Sequence, residues 1–289
     1  MSQPSPAEQF IASTQIYIAH PKDPSDYFSK LNALQDELQT MFKNLLKLAK
    51  QGDPETWFAI GHGYSDGWGT ERDLTKARIW FQRAADAGHS EAMCRLASKL
   101  RFNTNEEDSL DLYLKAAALG NPSAMCFLGY HYRTHAHGKN ASRNNAQAIE
   151  WFKQAIDAGY RQAMIHIAKV YIEYAETPEK AIPWLLKAHD EGYDASHILL
   201  ADLYNSPDAP YYNPTEALKW YQRVAKEAWV STPRAMLELA KLYRAGYGHA
   251  SGNHDAKLWI HRLCTTVPEK HHLHKQATKL LDKMNGEVI

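Results

Sequence analysis

Fifteen histidines in a chain of 289 residues first raise metal chemistry. They cluster twice, as His131-x3-His135-x-His137 and as His271-His272-x-His274. Two imidazoles four residues apart on one helix can meet a single zinc ion. Here His135 is expected past a helix end, and no Asp, Glu or Cys stands close in sequence to complete a ligand set. The preferred reading is solvated surface histidine, with no metal and no cofactor. Cys94, Cys126 and Cys264 form no CxxC pair and no even-numbered disulfide framework. Free thiols in a reducing, cytoplasmic compartment are expected. Gly61-x-Gly63 and Gly67-x-Gly69 are fragments of nucleotide-loop patterns, but no complete P-loop, dinucleotide fingerprint or nucleophile elbow surrounds them.

Composition narrows the classes further. Apolar residues make up 44% and charged residues 23%, as in a folded chain. Lys plus Arg and Asp plus Glu both number 33, for a formal net charge of zero. Nucleic-acid binding draws on a basic excess that releases counterions, so a nucleic-acid partner is not expected. Nor does any stretch reach the roughly 20 apolar residues of a membrane span, and residues 1–21 lack the charge and apolar run of an export signal.

The elements that must position these side chains come from an internal repeat. Ala84-Ala85-Asp86-Ala87-Gly88 returns as Ala116-Ala117-Ala118-Leu119-Gly120 and as Ala155-Ile156-Asp157-Ala158-Gly159. Eight positions before each glycine stands Trp80, Leu112 or Trp151, and Trp184 precedes Gly192 likewise; Trp220 keeps the register to Ala228. After each glycine comes a small residue, then Leu or Ile at +4, Gly or Ala at +5 and an aromatic at +8. Examples are Thr56/Ile60/Gly61/Tyr64, Ala124/Leu128/Gly129/Tyr132 and Ala235/Leu239/Ala240/Tyr243. Offsets of four and eight fall on one helical face. Each unit is therefore a helix A followed by a helix B, and stacked units bury each other's apolar stripes. The glycine turns the chain out of helix B, and Asp53-Pro54 and Asn121-Pro122 read as N-caps with proline at the first helical position.

This pattern resembles the Sel-one-like repeat family, relatives of the tetratricopeptide repeats. Tyr64-Ser-Asp-Gly67-Trp-Gly69-Thr-Glu-Arg-Asp73-Leu-Thr-Lys76-Ala77 carries the resemblance best, and Tyr243-Arg-Ala-Gly246-Tyr-Gly248 next. The resemblance implies an all-α, right-handed α/α solenoid (superhelix) of about six helix-turn-helix repeats with terminal capping helices. Units are expected at 53–89, 90–120, 121–159, 160–192, 193–229 and 230–265. A polar N-terminal arm over 1–28, a capping helix over 29–52 and a C-terminal capping helix over 266–289 complete the expected plan. Pro183 should kink helix B of the fourth unit or delay its start, and the Asn205–Pro214 loop reads as a tolerated insertion.

In such an array helix A lines the concave side. Counted from the small residue, positions −1, +2, +6 and +9 are expected to face it. They hold six basic residues and three acidic ones, in a chain that is neutral overall. Five of the six basic residues lie at +6 or +9, where the helix dipole also favours cations. The expected groove comprises His62, Arg101, Tyr130, Arg133, Lys169, Asp202, Lys241 and Arg244, with Cys94 and Cys126 as free thiols beside them. The functional expectation is a non-catalytic scaffold, adaptor or regulator that binds a protein or peptide, acidic or ending in its carboxylate. Two alternatives stand beside it: an immunity protein that neutralises a secreted effector, and a hydrolase or metal-dependent enzyme, for which the sequence offers only weak candidates. The oligomeric state is left open.

Overall fold

The computed structural model describes residues 4–18, 27–102, 106–135, 141–174, 177–226, 232–248 and 252–286. Among them every regular element is helical. The helices are α1 (Pro6–Ile18), α2 (Tyr27–Leu48), α3 (Pro54–Asp66), α4 (Leu74–Asp86), α5 (Ser90–Phe102), α6 (Glu106–Ala118) and α7 (Pro122–Thr134). There follow α8 (Ala141–Asp157), α9 (Ala163–Tyr174), α10 (Ala181–Asp190), α11 (Ala195–Tyr204), α12 (Pro214–Lys226), α13 (Thr232–Arg244), α14 (Gly252–Thr266) and α15 (His272–Gly286). The chain is an α-helical repeat solenoid. It forms two compact units, Met1–His131 with Ala158–Tyr160, and Tyr132–Asp157 with Arg161–Ile289. Among the described residues no helix is long and apolar enough to cross a membrane.

The repeat glycines do what their position demands. Gly88 has φ +89°, its N–H reaches Ala85 O at 2.9 Å, and His89 N–H reaches Ala84 O at 2.9 Å. This is a Schellman turn, in which a left-handed residue lets the last carbonyls of a helix be satisfied. The same bonds recur at Gly120 and Gly192. N-caps follow from sequence too. Asp53 accepts from Thr56 N–H at 2.9 Å, and Asn121 Oδ1 accepts from Ala124 N–H at 2.9 Å. Pro183 sits in the first turn of α10, where its missing N–H costs nothing, and a 3-10 turn over Pro178–Lys180 leads the helix in.

In the first unit α3 packs on α4, and α4 on α5. A Cβ on Gly61 would lie 2.6 Å from the Phe81 ring, so glycine sets how closely α3 approaches α4. The N-terminus departs from the expected arm. Ala7, Phe10 and Thr14 of α1 are buried, and the first two pack with Leu38, Phe42, Leu45, Ala59 and Ile60. Phe10 meets Phe42 at a ring separation of 6.0 Å. The prolines at 4 and 6 start this helix instead of breaking it. In the second unit one core runs from Ala168 through Leu200, Tyr221 and Leu239 to Met284, and α15 closes it with Ala277 and Met284. Each fully buried aliphatic or aromatic side chain contributes about 1.5–3 kcal/mol.

Candidate functional site

The A helices offer a face whose polar and apolar columns are largely consumed by their neighbours. In the first unit Glu55, at −1 of α3, accepts from His89 Nε2–H at 2.9 Å. The His89 ring caps α5 through Nδ1, which accepts from Ala92 N–H at 3.1 Å. With Nδ1 acting as acceptor, the proton must sit on Nε2. The same ring stacks on Phe58, at +2, with centroids 4.4 Å apart. One repeat later Asn121 takes the place of His89. It caps α7 and its Nδ2 donates to Glu91 Oε2 at 3.3 Å, while Cys94 Sγ lies 3.5 Å from its Oδ1. Tyr160 follows Gly159 and hydrogen-bonds the Cys126 side chain.

These contacts correct one expectation. Position +2 mostly turns inward: Phe58, Cys94, Cys126, Ile165 and Leu237 are buried, while Ile198 is half-buried. The residue after the next glycine folds back over that position, which a single-repeat alignment does not reveal. Burial pushes both the Cys94 and the Cys126 thiol up to about 12, so neither is a thiolate at neutral pH.

The individual groove residues fare differently. His62 turns inward; its side chain is 14% exposed and Nδ1 lies 3.4 Å from Asp66. Burial lowers its pKa, with Asp66 opposing. Tyr130 and Arg133 are half-buried on α7. The side chain of Arg101 lies outside the described residues. Asp202 is committed to the interior: it accepts from Tyr221 OH at 2.7 Å and pairs with Arg234 at 2.9 Å. Burial raises its pKa, with both partners opposing. It therefore ties α11 to α12 and α13 instead of meeting a ligand. Lys241 is exposed but pairs with Glu238 at 2.7 Å. It and Arg244 share the rim of a hollow of about 430 Å³ with Ala245, Asn253 and Leu280.

A cleft on this face belongs to the second unit. Gln162, Ile165 and Lys169 of the α9 segment face Ala195, Ile198 and Leu199 of α11 across about 470 Å³. Tyr193, Asp194 and Val224 complete the wall. Its lining is mainly apolar, and Lys169 enters no ion pair among the described residues. Five of the six A-helix residues here sit at expected groove positions; Leu199 does not. Tyr193 was also missed, although a large side chain after the repeat glycine recurs as His89, Tyr160 and Tyr193. Val224 lies on a B helix and leaves no repeat-level signal.

The weighed metal cluster changes too. His135 lies beyond the end of α7, as expected. An acid does stand beside His131, Glu106 of α6 at 3.6 Å, brought from far away in sequence.

Comparison with known proteins agrees with this architecture. The Sel1 repeat family matches residues 58–89, 90–121, 122–160 and 195–228. Chitin synthase regulatory factor 3 of Schizosaccharomyces pombe is 26% identical over 258 residues, which is 83% of this chain and 27% of that protein. An uncharacterized protein, NMB1327, of Neisseria meningitidis is 27% identical over 168 residues, 57% of this chain and 34% of its own length. The chain thus spans only about a quarter to a third of these relatives. Among solved structures, c5321 of uropathogenic Escherichia coli, a protective antigen with an SLR fold, aligns with TM-score 0.65 and 19% identity, over 98% of this chain and 61% of its own. A Sel1 repeat protein of Oxalobacter formigenes aligns at 0.61 and 20%, over 93% and 100%. At such identities these two are likenesses of fold. Repeat register, glycine turns and the four matched stretches together make this chain a Sel1-repeat protein.

Proposed function

We propose that the chain is a non-catalytic interaction module, a scaffold, adaptor or regulator. It holds a protein segment in the cleft between α9 and α11. The observation that carries the reading is the cleft itself: a mainly apolar trough with one amine, Lys169, that enters no ion pair among the described residues, and one carboxylate, Asp194, on its wall. Apolar walls with a few fixed polar groups are the usual make-up of a ligand site. A short aliphatic segment would bury against Ile165, Ile198 and Leu199. An acidic side chain or a terminal carboxylate would meet Lys169. The unreactive state of the buried thiols favours binding over nucleophilic catalysis. One matched relative is named as a regulatory factor, which fits the same reading. Three free cysteines suit a reducing cytoplasm.

The test is affinity capture from native lysate with the wild-type chain and with Lys169→Glu/Ile198→Ala. A partner retained by the wild type and lost by a variant of unchanged melting temperature is expected. Equal retention would refute the cleft as the docking site.

A further inference from the structure

A second surface, in the first unit, is built differently. Arg78, Ile79 and Arg83 of α4 and Leu96, Lys99 and Leu100 of α5 enclose a cleft of about 500 Å³. On α4 the three stand at i, i+1 and i+5, and on α5 at i, i+3 and i+4, so each helix turns one face toward the hollow. The floor is apolar: Leu96 is buried, Leu100 half-buried, and Ile79 is 48% exposed. The rim is cationic. Arg78, Arg83 and Lys99 are exposed, and no carboxylate lines the cleft.

Local charge pairing makes the excess real. Glu55 is taken by His89, Asp73 caps α4 and pairs with Lys76, and Glu91 pairs with Arg95. Asp86, just past Arg83, accepts from Gln82 at 2.8 Å. Arg78 and Lys99 enter no ion pair or hydrogen bond among the described residues. Arg83 lies over the Trp80 ring at 4.8 Å. In a chain of zero net charge, three cations around an exposed isoleucine are a local feature of this cleft.

We infer that this cleft docks an acidic protein segment carrying an apolar anchor. The anchor would sit against Ile79, Leu96 and Leu100, and Asp or Glu residues flanking it would meet Arg78 and Lys99. The concave, apolar floor favours a peptide side chain over a flat lipid surface. The few cations favour it over a nucleic-acid backbone, which takes many contacts to hold.

The experiment is selection of a random 12-residue display library on the full chain, with counter-selection on Arg78→Glu/Lys99→Glu. Selected peptides should be enriched in Asp and Glu around Leu, Ile or Phe. By fluorescence anisotropy they should lose at least about ten-fold in affinity on that variant and on the neutral Arg78→Gln/Lys99→Gln, which guards against misfolding of the first. Ile79→Ala should weaken them too, and raised salt should weaken them further. Lys169→Glu should leave them unchanged, which separates this surface from the α9–α11 cleft. The inference fails if no selected peptide is sensitive to the charge variants or if the sensitive peptides are not acidic. It also fails if phosphatidylserine vesicles or single-stranded DNA bind in a variant-sensitive way and peptides do not.

Discussion

His189 Nδ1 lies 2.8 Å from His197 Nε2, and this bond fixes the protonation of both rings. Arg223 approaches His189 Nε2 at 2.9 Å, and a guanidinium can only donate. His189 must therefore carry its proton on Nδ1 and donate to His197, whose Nε2 must be bare. Both rings are neutral, and both pack on Trp220, with Arg223 above its face. The relay joins α10, α11 and α12. Burial lowers the His189 pKa, with His197 and Arg223 adding to it and Asp190 and Asp194 opposing. At neutral pH, nitrogen-detected correlation spectra should show both rings as neutral Nδ1–H tautomers. Removing the guanidinium with Arg223→Ala should raise the His189 pKa in an NMR titration; a value that stays put would overturn the relay.

Burial of His166 has a larger effect on acid stability. Its pKa falls from 6.5 to about 4, chiefly by desolvation, with Lys169 and Arg133 adding repulsion. The folded state thus binds fewer protons than the unfolded chain between those values. Stability is complete above the unfolded pKa and declines as pH falls from 6.5 toward 4, by up to about 3 kcal/mol. His166→Phe should flatten this part of the pH profile in denaturant melts, since Phe can keep the contact with Phe152. A variant with the same acid limb as wild type would remove His166 as its source.

Close approach of α3 to α4 depends on Gly61. Gly61→Ala should destabilise the first unit by about 1–3 kcal/mol through overpacking on Phe81. Trimming the ring with Phe81→Leu should recover part of that loss. A double-mutant cycle reads the coupling directly, and strictly additive losses would contradict the contact.

Asp202 should behave as a structural acceptor. Asp202→Ala leaves the buried Tyr221 hydroxyl and Arg234 without it, at about 1–3 kcal/mol. Asp202→Asn keeps an oxygen for Tyr221 and should cost less. Equal losses for the two, in thermal or denaturant unfolding, would argue against the hydrogen bond.

What could be read from the sequence divides along physical lines. Glycine turns, Asx caps and apolar stripes are local devices, and each was legible from residue type and spacing. The inward turn of position +2 was not, because it is decided by a residue some thirty positions later: His89 over Phe58, Asn121 beside Cys94. Asp202 passed for a groove acid because nothing local marks Tyr221 and Arg234 as its partners. The His189–His197 pair straddles a glycine turn, so its offset of eight spans two helices instead of one face. Phe10 and Ala7 lie in a short, proline-flanked stretch, and only the Phe42 side of the contact shows what they pack against.

His89 and Asn121 each serve two owners: the A helix they cap and the A helix of the preceding repeat, whose acid they hold. A cassette cut at the glycine would carry its cap away from that acid and leave Glu55 or Glu91 facing a stranger. Shuffling or grafting these repeats should therefore place the seam just after the residue that follows the glycine, so that His89 travels with Glu55 and Asn121 with Glu91. The module that can be inherited, duplicated or engineered here is offset from the one the eye picks out between glycines.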